Sequence, residues 1–254
     1  MARRLWKRKL PAREEKQYKE KRKLESAVFD VKTLQLLSNF IKKKIVKSID
    51  YPMATGKEAD VFRASTETGY LAVKIYRIET SNFLKMQDYM LGDPRFSNMK
   101  KNKWDVVFAW TKKEFRNLSL FEEFGINAPR PIAFKKNVLI MDFIGEEGVP
   151  DSTLKQMGTE TPEKTLESLL GFVKKLYKNS LVHADLSEYN ILMHMGEPYI
   201  IDVGQAVLLN HPKAEEFLER DVRTLLKYFK NHGVTKDEGE VLKWVRDRGE
   251  VTLT

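Results

Sequence analysis

Four residues of this chain have types and spacings that could do chemistry together: Lys74, Asp185, Asn190 and Asp202. Lys74 interrupts the apolar run L-A-V-K-I-Y (71–76). An ammonium in such a run is costly unless it meets an anion. Asp185 and Asn190 stand five positions apart in L-V-H-A-D-L-S-E-Y-N-I-L (181–192), between apolar flanks. A third apolar run, Y-I-I-D-V-G (199–204), ends on Asp202 with Gly204 two residues on. Asp185 offers a carboxylate that can orient or deprotonate a hydroxyl. Asn190 and Asp202 offer the hard oxygen donors that Mg²⁺ prefers. A lysine, two oxygen ligands and one free carboxylate are the working parts of phosphoryl transfer.

The elements around these residues read as a β-rich first half and a helical second half. Residues 1–25 are a charged arm, and a helix is expected over 28–46 with Val31, Leu34, Leu37, Ile41 and Ile45 as its apolar stripe and Asp30 as its cap. Lys42, Lys43, Lys44 and Lys47 suit the negative end of its dipole. Residues 48–77 carry a hairpin signature, with T-E-T-G-Y as a turn and Y-L-A-V-K-I-Y as a strand of alternating burial. Residues 80–103 hold a short helical piece, a Gly-Asp-Pro break and a polar stretch, which predicts a mobile loop. A helix over 104–124 and strands over 131–135 and 137–142 follow, then a connector at 143–150. Helices are expected near 162–179, 212–231 and 235–248, with a loop-and-strand unit at 181–203.

Composition narrows the classes of function. The 254 residues include no cysteine, which excludes disulfides, thiolate metal sites and a cysteine nucleophile. No run of 18 apolar residues occurs, so no transmembrane helix and a cytoplasmic protein are expected. The net charge is +9, and residues 1–25 hold eleven lysines and arginines against four acids. The basic character is therefore concentrated in the arm, as suits a polyanionic partner such as nucleic acid.

The signature set of protein kinases is V-A-I-K, H-R-D-L-x-x-x-N and D-F-G. Here A-V-K, H-A-D-L-S-E-Y-N and D-V-G stand in the same order. One such match is weak, whereas three in order and in the right settings are strong. The chain resembles the RIO family of atypical serine/threonine kinases, type-one branch. The motifs that carry this are T-G-K-E-A (55–59), L-A-V-K-I-Y (71–76), Y-M-L-G-D-P-R-F (89–96), W-T-K-K-E-F-R-N-L (110–118), M-D-F-I-G (141–145), the 181–192 segment, I-I-D-V-G-Q-A-V (200–207) and F-L-E-R-D-V (217–222). The 47 residues before the first strand are too few for the winged-helix domain of the type-two branch.

The resemblance implies an α+β, bilobal protein-kinase-like fold: an arm and helix at 1–47, an N-lobe at 48–143 and a C-lobe at 144–254. It implies Lys74 on the α/β-phosphates of ATP, paired with Glu114, and Asp185 as base. Asn190 and Asp202 would hold Mg²⁺ or Mn²⁺, with Asp202 itself open to phosphorylation. Ala54, Thr55, Gly56, Lys57, Glu58 and Ala59 would cover the phosphates, with Ala54 where the family usually has serine. Met141 would be the gatekeeper, with the backbone of Asp142 and Ile144 at the adenine edge and Glu188 among the ATP-binding residues. His183 is expected to support the loop and Asp221 to anchor it from below. Ala184 in place of the usual arginine removes a docking partner for a phosphorylated activation loop. No A-P-E motif follows Asp202, so a folded substrate, or the chain itself, is favoured over a free peptide. The family association is with maturation of the small ribosomal subunit, whose rRNA-rich precursor would be the arm's partner. Two other readings are a small-molecule kinase of the aminoglycoside or choline type, for which residues 205–254 leave little room, and an assembly factor latched by bound ATP.

Overall fold

The computed structural model describes residues 30–90, 93, 96 and 102–247, so the basic arm and most of the 91–101 stretch lie outside the described residues. The chain runs α1 (Val31–Lys42), β1 (Ser48–Thr55), β2 (Ala59–Ser65), β3 (Tyr70–Tyr76), α2 (Phe83–Asp88), α3 (Lys103–Glu123), β4 (Pro131–Lys135) and β5 (Val138–Asp142). The five strands form one antiparallel sheet in the order β1-β2-β3-β5-β4. Pro52 sits in β1, an edge strand, where its missing N–H costs no ladder bond.

The apolar stripe of α1 is not the expected one. Val31, Leu34 and Ile41 are exposed, and the buried face is Thr33, Leu36, Leu37 and Phe40. Leu36, Leu37 and Phe40 pack on Phe62, Ala64, Val73, Ile75, Val138 and Ile140 of the sheet. Thr33 can face inward because its hydroxyl accepts a hydrogen bond from Asn137 Nδ2 at 3.1 Å. The helix is also shorter than expected. Asp30 caps it, accepting from the Thr33 N–H at 2.6 Å, and the chain turns left-handed at Lys44 (φ 57°).

β3 does not alternate in burial. Ala72 through Tyr76 are all buried. Val73 and Ile75 face α1, while Ala72 and Tyr76 face the other side with α3, so both faces of the strand are covered. Lys74 falls on the second face, the one that looks into the cleft.

The connector at 143–150 contains a small hairpin, β6 (Gly145–Glu146) with β7 (Val149–Pro150). The Gly148 carbonyl accepts from Tyr51 Oη at 3.0 Å and Arg63 Nη1 at 2.8 Å, which fastens the hairpin to β1 and β2. A side chain at Gly148 (φ 81°) would run into Arg63 and Tyr70.

The second half comprises α4 (Leu154–Met157), α5 (Pro162–Lys178), β8 (Leu181–Val182), β9 (Ile191–His194), β10 (Glu197–Ile200), a 3₁₀ turn (Val203–Gln205), β11 (Val207–Leu208), α6 (Ala214–Lys230) and α7 (Glu238–Arg246). Leu166, Leu169, Leu170 and Val173 of α5, Val222 and Leu225 of α6 and Val245 of α7 share one core. The catalytic-type loop leaves β8 and returns in β9. Asp202 follows β10 directly.

The 80–90 stretch is more tied down than the expected loop. Thr80 Oγ1 donates to the Lys57 carbonyl at 2.6 Å, and Met86, Tyr89 and Met90 are buried. Tyr89 stacks on Phe217 of α6 with ring centroids 5.3 Å apart, and His211 Nε2 donates to the Asp88 carbonyl at 2.9 Å. No helix among the described residues is long and apolar enough to cross a membrane.

Candidate active site

The sheet and the helical half enclose a cleft of about 560 Å³. Ala54, Thr55, Gly56, Ala59, Lys74, Met141, Asp142, Ile144, Asn190 and Asp202 line it. All ten belong to the site residues expected from the sequence, and they come from segments far apart in the chain. Lys57, Glu58, Asp185 and Glu188 are not in its wall, and Glu114 sits behind Lys74. Glu188 turns instead toward Lys155, 3.6 Å away.

Lys74 lies between two carboxylates. Its Nζ is 2.7 Å from Glu114 Oε1 and 3.0 Å from Asp202 Oδ1. Burial works against the ammonium, and Asp202 and Glu114 more than offset it, holding Lys74 above its ordinary range. Burial pushes the Glu114 carboxyl up to about 7 even though Lys74 pulls the other way. Asp202 is kept below the usual carboxylate range, chiefly by Lys74. It adopts a left-handed backbone (φ 59°, ψ 61°), which turns its side chain from the strand toward the cleft.

The loop after β8 is held from below. Asp221 of α6 accepts from the N–H groups of Ala184 at 2.7 Å and Leu186 at 3.0 Å, on either side of Asp185. Burial raises its carboxyl to about 7 against those two bonds. Arg220 donates to the Ala184 carbonyl from the neighbouring position. Ala184 itself has φ 65°, a conformation these contacts maintain. His183 is buried and pushed down to about 4, chiefly by that burial, so it is neutral at pH 7. Its Nδ1 accepts from the Asp185 N–H at 3.3 Å, a supporting role. Burial also raises the Asp185 carboxyl, with Lys85 and Arg220 pulling it back.

Asn190 donates its Nδ2 to the Asp185 carbonyl at 2.8 Å. That leaves Oδ1 as the atom it offers to a cation, alongside the Asp202 carboxylate. No group of three or more His, Cys, Asp or Glu that could cage a metal occurs among the described residues. Two protein oxygens beside an open cleft suit Mg²⁺ or Mn²⁺ that completes its shell on phosphate and water. The cleft volume is that of an ordinary small-ligand pocket.

At the connector, the Asp142 N–H is spent on the Arg130 carbonyl at 2.9 Å, and the Ile144 carbonyl accepts from Asp151 at 3.2 Å. Asp142 and Ile144 both line the cleft at this point.

Residues 60–241 match the family described as the RIO domain. The chain belongs to the RIO family. It is 40% identical over 230 residues to the RIO-type serine/threonine-protein kinase Rio1 of Haloferax volcanii, covering 90% of this chain and 79% of that one. It is 39% identical over 232 residues to Rio1 of Methanocaldococcus jannaschii, covering 91% and 80%. The RIO domain here is thus that of a RIO-type serine/threonine-protein kinase. Its fold is also that of the Rio2 kinase from Chaetomium thermophilum, at TM-scores of 0.64 for an ADP/Mg²⁺–phosphoaspartate complex and 0.68 for a second structure. Identity there is 23% and 24%, with 83% and 84% of this chain and 65% and 66% of those chains covered.

Sequence reasoning missed several residues of the RIO site. Met53, Val61, Pro129, Asp151, Gln156, Leu192 and Ile201 are among the further residues of the cleft wall. Lys85 of α2 lies close enough to Glu58, Asp185 and Asp202 to draw down all three carboxyls. Lys113 and Asn117 of α3 are fully buried behind the Asp202 loop. They lie in the W-T-K-K-E-F-R-N-L motif, where a lysine beside another lysine on a helix reads as a solvated face. Asn117 stands three positions from Glu114 and four from Lys113, the spacings that share one helix face.

Proposed function

We propose that this RIO kinase binds ATP in the cleft and transfers the γ-phosphoryl to a serine or threonine hydroxyl. The observation that carries this reading is Lys74 held between Glu114 and Asp202, with Asn190 across the same cleft and bonded to Asp185. Adenine lies under Met141, with the Asp142 carbonyl and Ile144 N–H at its edge. The turn from Ala54 to Ala59, closed by the Gly56 N–H on the Ala59 carbonyl at 3.0 Å, covers the phosphates. Lys74 orients the α/β-phosphates. Asn190 and Asp202 would hold Mg²⁺ or Mn²⁺, which would supply charge neutralisation on the phosphates.

Asp185 orients the acceptor hydroxyl and takes its proton. A carboxyl raised by burial is a better base than an exposed one, and its neighbours keep that rise in check. His183 stays neutral and holds the loop rather than moving the proton. Where water replaces the hydroxyl the outcome is ATP hydrolysis, and where Asp202 attacks it is a phosphoaspartate, which a hydroxylamine-labile label would reveal. In the cell the reading is a cytoplasmic factor in maturation of the small ribosomal subunit. Residues 1–25 bind rRNA phosphates without reading sequence. Deleting them lowers particle affinity and flattens its dependence on salt.

The deciding experiment uses γ-labelled ATP with Mg²⁺, the intact chain and Asp185→Asn, following both free phosphate and label on protein. Turnover that disappears in the variant while ATP binding persists supports the assignment. Equal turnover in both removes Asp185 from the reaction.

A further inference from the structure

Lys113 of α3 is an ammonium buried to zero exposure and lies outside the cleft wall. Nζ donates to the carbonyls of Gly204 and Ala206, at 2.6 Å each. One turn along the same helix, Asn117 Nδ2 donates to the carbonyls of Val203 at 2.8 Å and Ala206 at 3.2 Å. Two side chains of one helix therefore cap three carbonyls of the segment that follows Asp202.

Glu114 lies between these two positions. The contacts close a ring: Glu114 to Lys74, Lys74 to Asp202, the 203–206 carbonyls to Lys113 and Asn117, and back along α3 to Glu114. Asp202 needs such support. A non-glycine residue in the left-handed region persists only where its surroundings impose it. Trp110 packs against the same segment, since a Cβ on Gly204 would fall 2.9 Å from its indole nitrogen.

We propose that Lys113 and Asn117 are positioning residues that fix the aim of the Asp202 carboxylate, so that they set the metal affinity of the nucleotide-loaded protein and leave its affinity for metal-free nucleotide unchanged. The inference rests on the reading of Asp202 as a metal ligand. Neither side chain is in the cleft wall, and the hydrogen bonds of both toward the site end on main-chain carbonyls. Supports of this kind around metal ligands are typically worth a factor of about 10–100 in metal affinity.

The test titrates Mn²⁺ into the ATP-saturated full chain and reads free Mn²⁺ by its electron paramagnetic resonance signal. Nucleotide affinity is measured separately by calorimetry in chelator. Lys113→Met keeps length and removes the charge. Asn117→Ala is the milder companion and carries the test alone if the first variant does not fold. The expected result is a Mn²⁺ half-saturation raised about tenfold or more in Lys113→Met and less in Asn117→Ala. ATP affinity in chelator stays within about twofold, and turnover recovers at saturating Mn²⁺. A half-saturation equal to wild type in both variants overturns the proposal. So does a parallel fall in metal-free nucleotide affinity, which marks general loosening. Failure of the ATP-loaded wild type to take up Mn²⁺ overturns the metal reading of Asp202 instead, and this inference with it.

Discussion

Replacing Lys74 with methionine keeps the reach of the side chain and removes its charge. Glu114, 1% exposed, then has no cation 2.7 Å away, while Asp202 is half exposed and can draw on water. Removing one partner of a buried ion pair costs about 3–5 kcal/mol. Only one of the two carboxylates is fully enclosed, so the lower end applies, about 3 kcal/mol, or a fall in Tm of roughly 6–12 °C for a chain of this size. The loss depends on pH with a definite sign. The Glu114 carboxyl stands at about 7 with Lys74 present and rises further without it. A carboxyl raised in the folded state contributes stability that is present below its ordinary value of about 4.5 and is lost as pH climbs through the folded value. The deficit of Lys74→Met is therefore full at pH 8 and shrinks toward pH 5. Adding Glu114→Gln removes the stranded charge, restores most of the Tm at pH 8 and leaves phosphoryl transfer absent. Thermal unfolding of the two variants from pH 5 to pH 8, beside a labelled-ATP assay, checks each element. A double variant no more stable than the single one at pH 8, or a deficit that grows on acidification, refutes the reasoning.

Two further substitutions probe the fold around the site. Gly204→Ala places a methyl carbon 2.9 Å from the Trp110 indole nitrogen, and overpacking of this kind costs about 1–3 kcal/mol; the variant melts lower and loses kcat together, and an unchanged melting curve would remove Trp110 as a constraint. Leu36→Ala empties a buried contact on the sheet and costs about 2–5 kcal/mol, whereas Leu34→Ala on the exposed face stays within about 0.5 kcal/mol; denaturant midpoints of the pair decide which face of α1 is inward.

The site was legible in the sequence where residue type carried the signal. Lys74, Asp185, Asn190 and Asp202 are costly in apolar surroundings, so each announces a partner. Their order in the chain was enough to join them. The face of α1 was not legible, because the structure turns Thr33 inward and leaves Val31 and Leu34 in water. A threonine hydroxyl with a buried amide opposite it packs as well as a valine, and hydropathy alone does not see Asn137. The covered strand β3 was misread as alternating because its second cover, α1, precedes it by some thirty residues. Lys113 escaped for the converse reason. Its carbonyl partners are main-chain atoms ninety positions away, and no side-chain pattern records them.

The stretch between Thr80 and Met90 joins the sheet half to α6. At one end Thr80 hangs from the Lys57 carbonyl beside the phosphate-covering turn, and at the other Tyr89 is stacked on Phe217 of α6. The β6–β7 hairpin is fastened to β1 and β2 through Gly148. A cleft whose sheet half is tied to α6 in this way does not open as a free hinge. Opening it costs the contacts of at least one tie, so the Tyr89–Phe217 stack resists separation of the sheet from α6. Loosening that stack would free the 80–90 stretch from α6 while leaving Thr80 hung on the phosphate-covering turn.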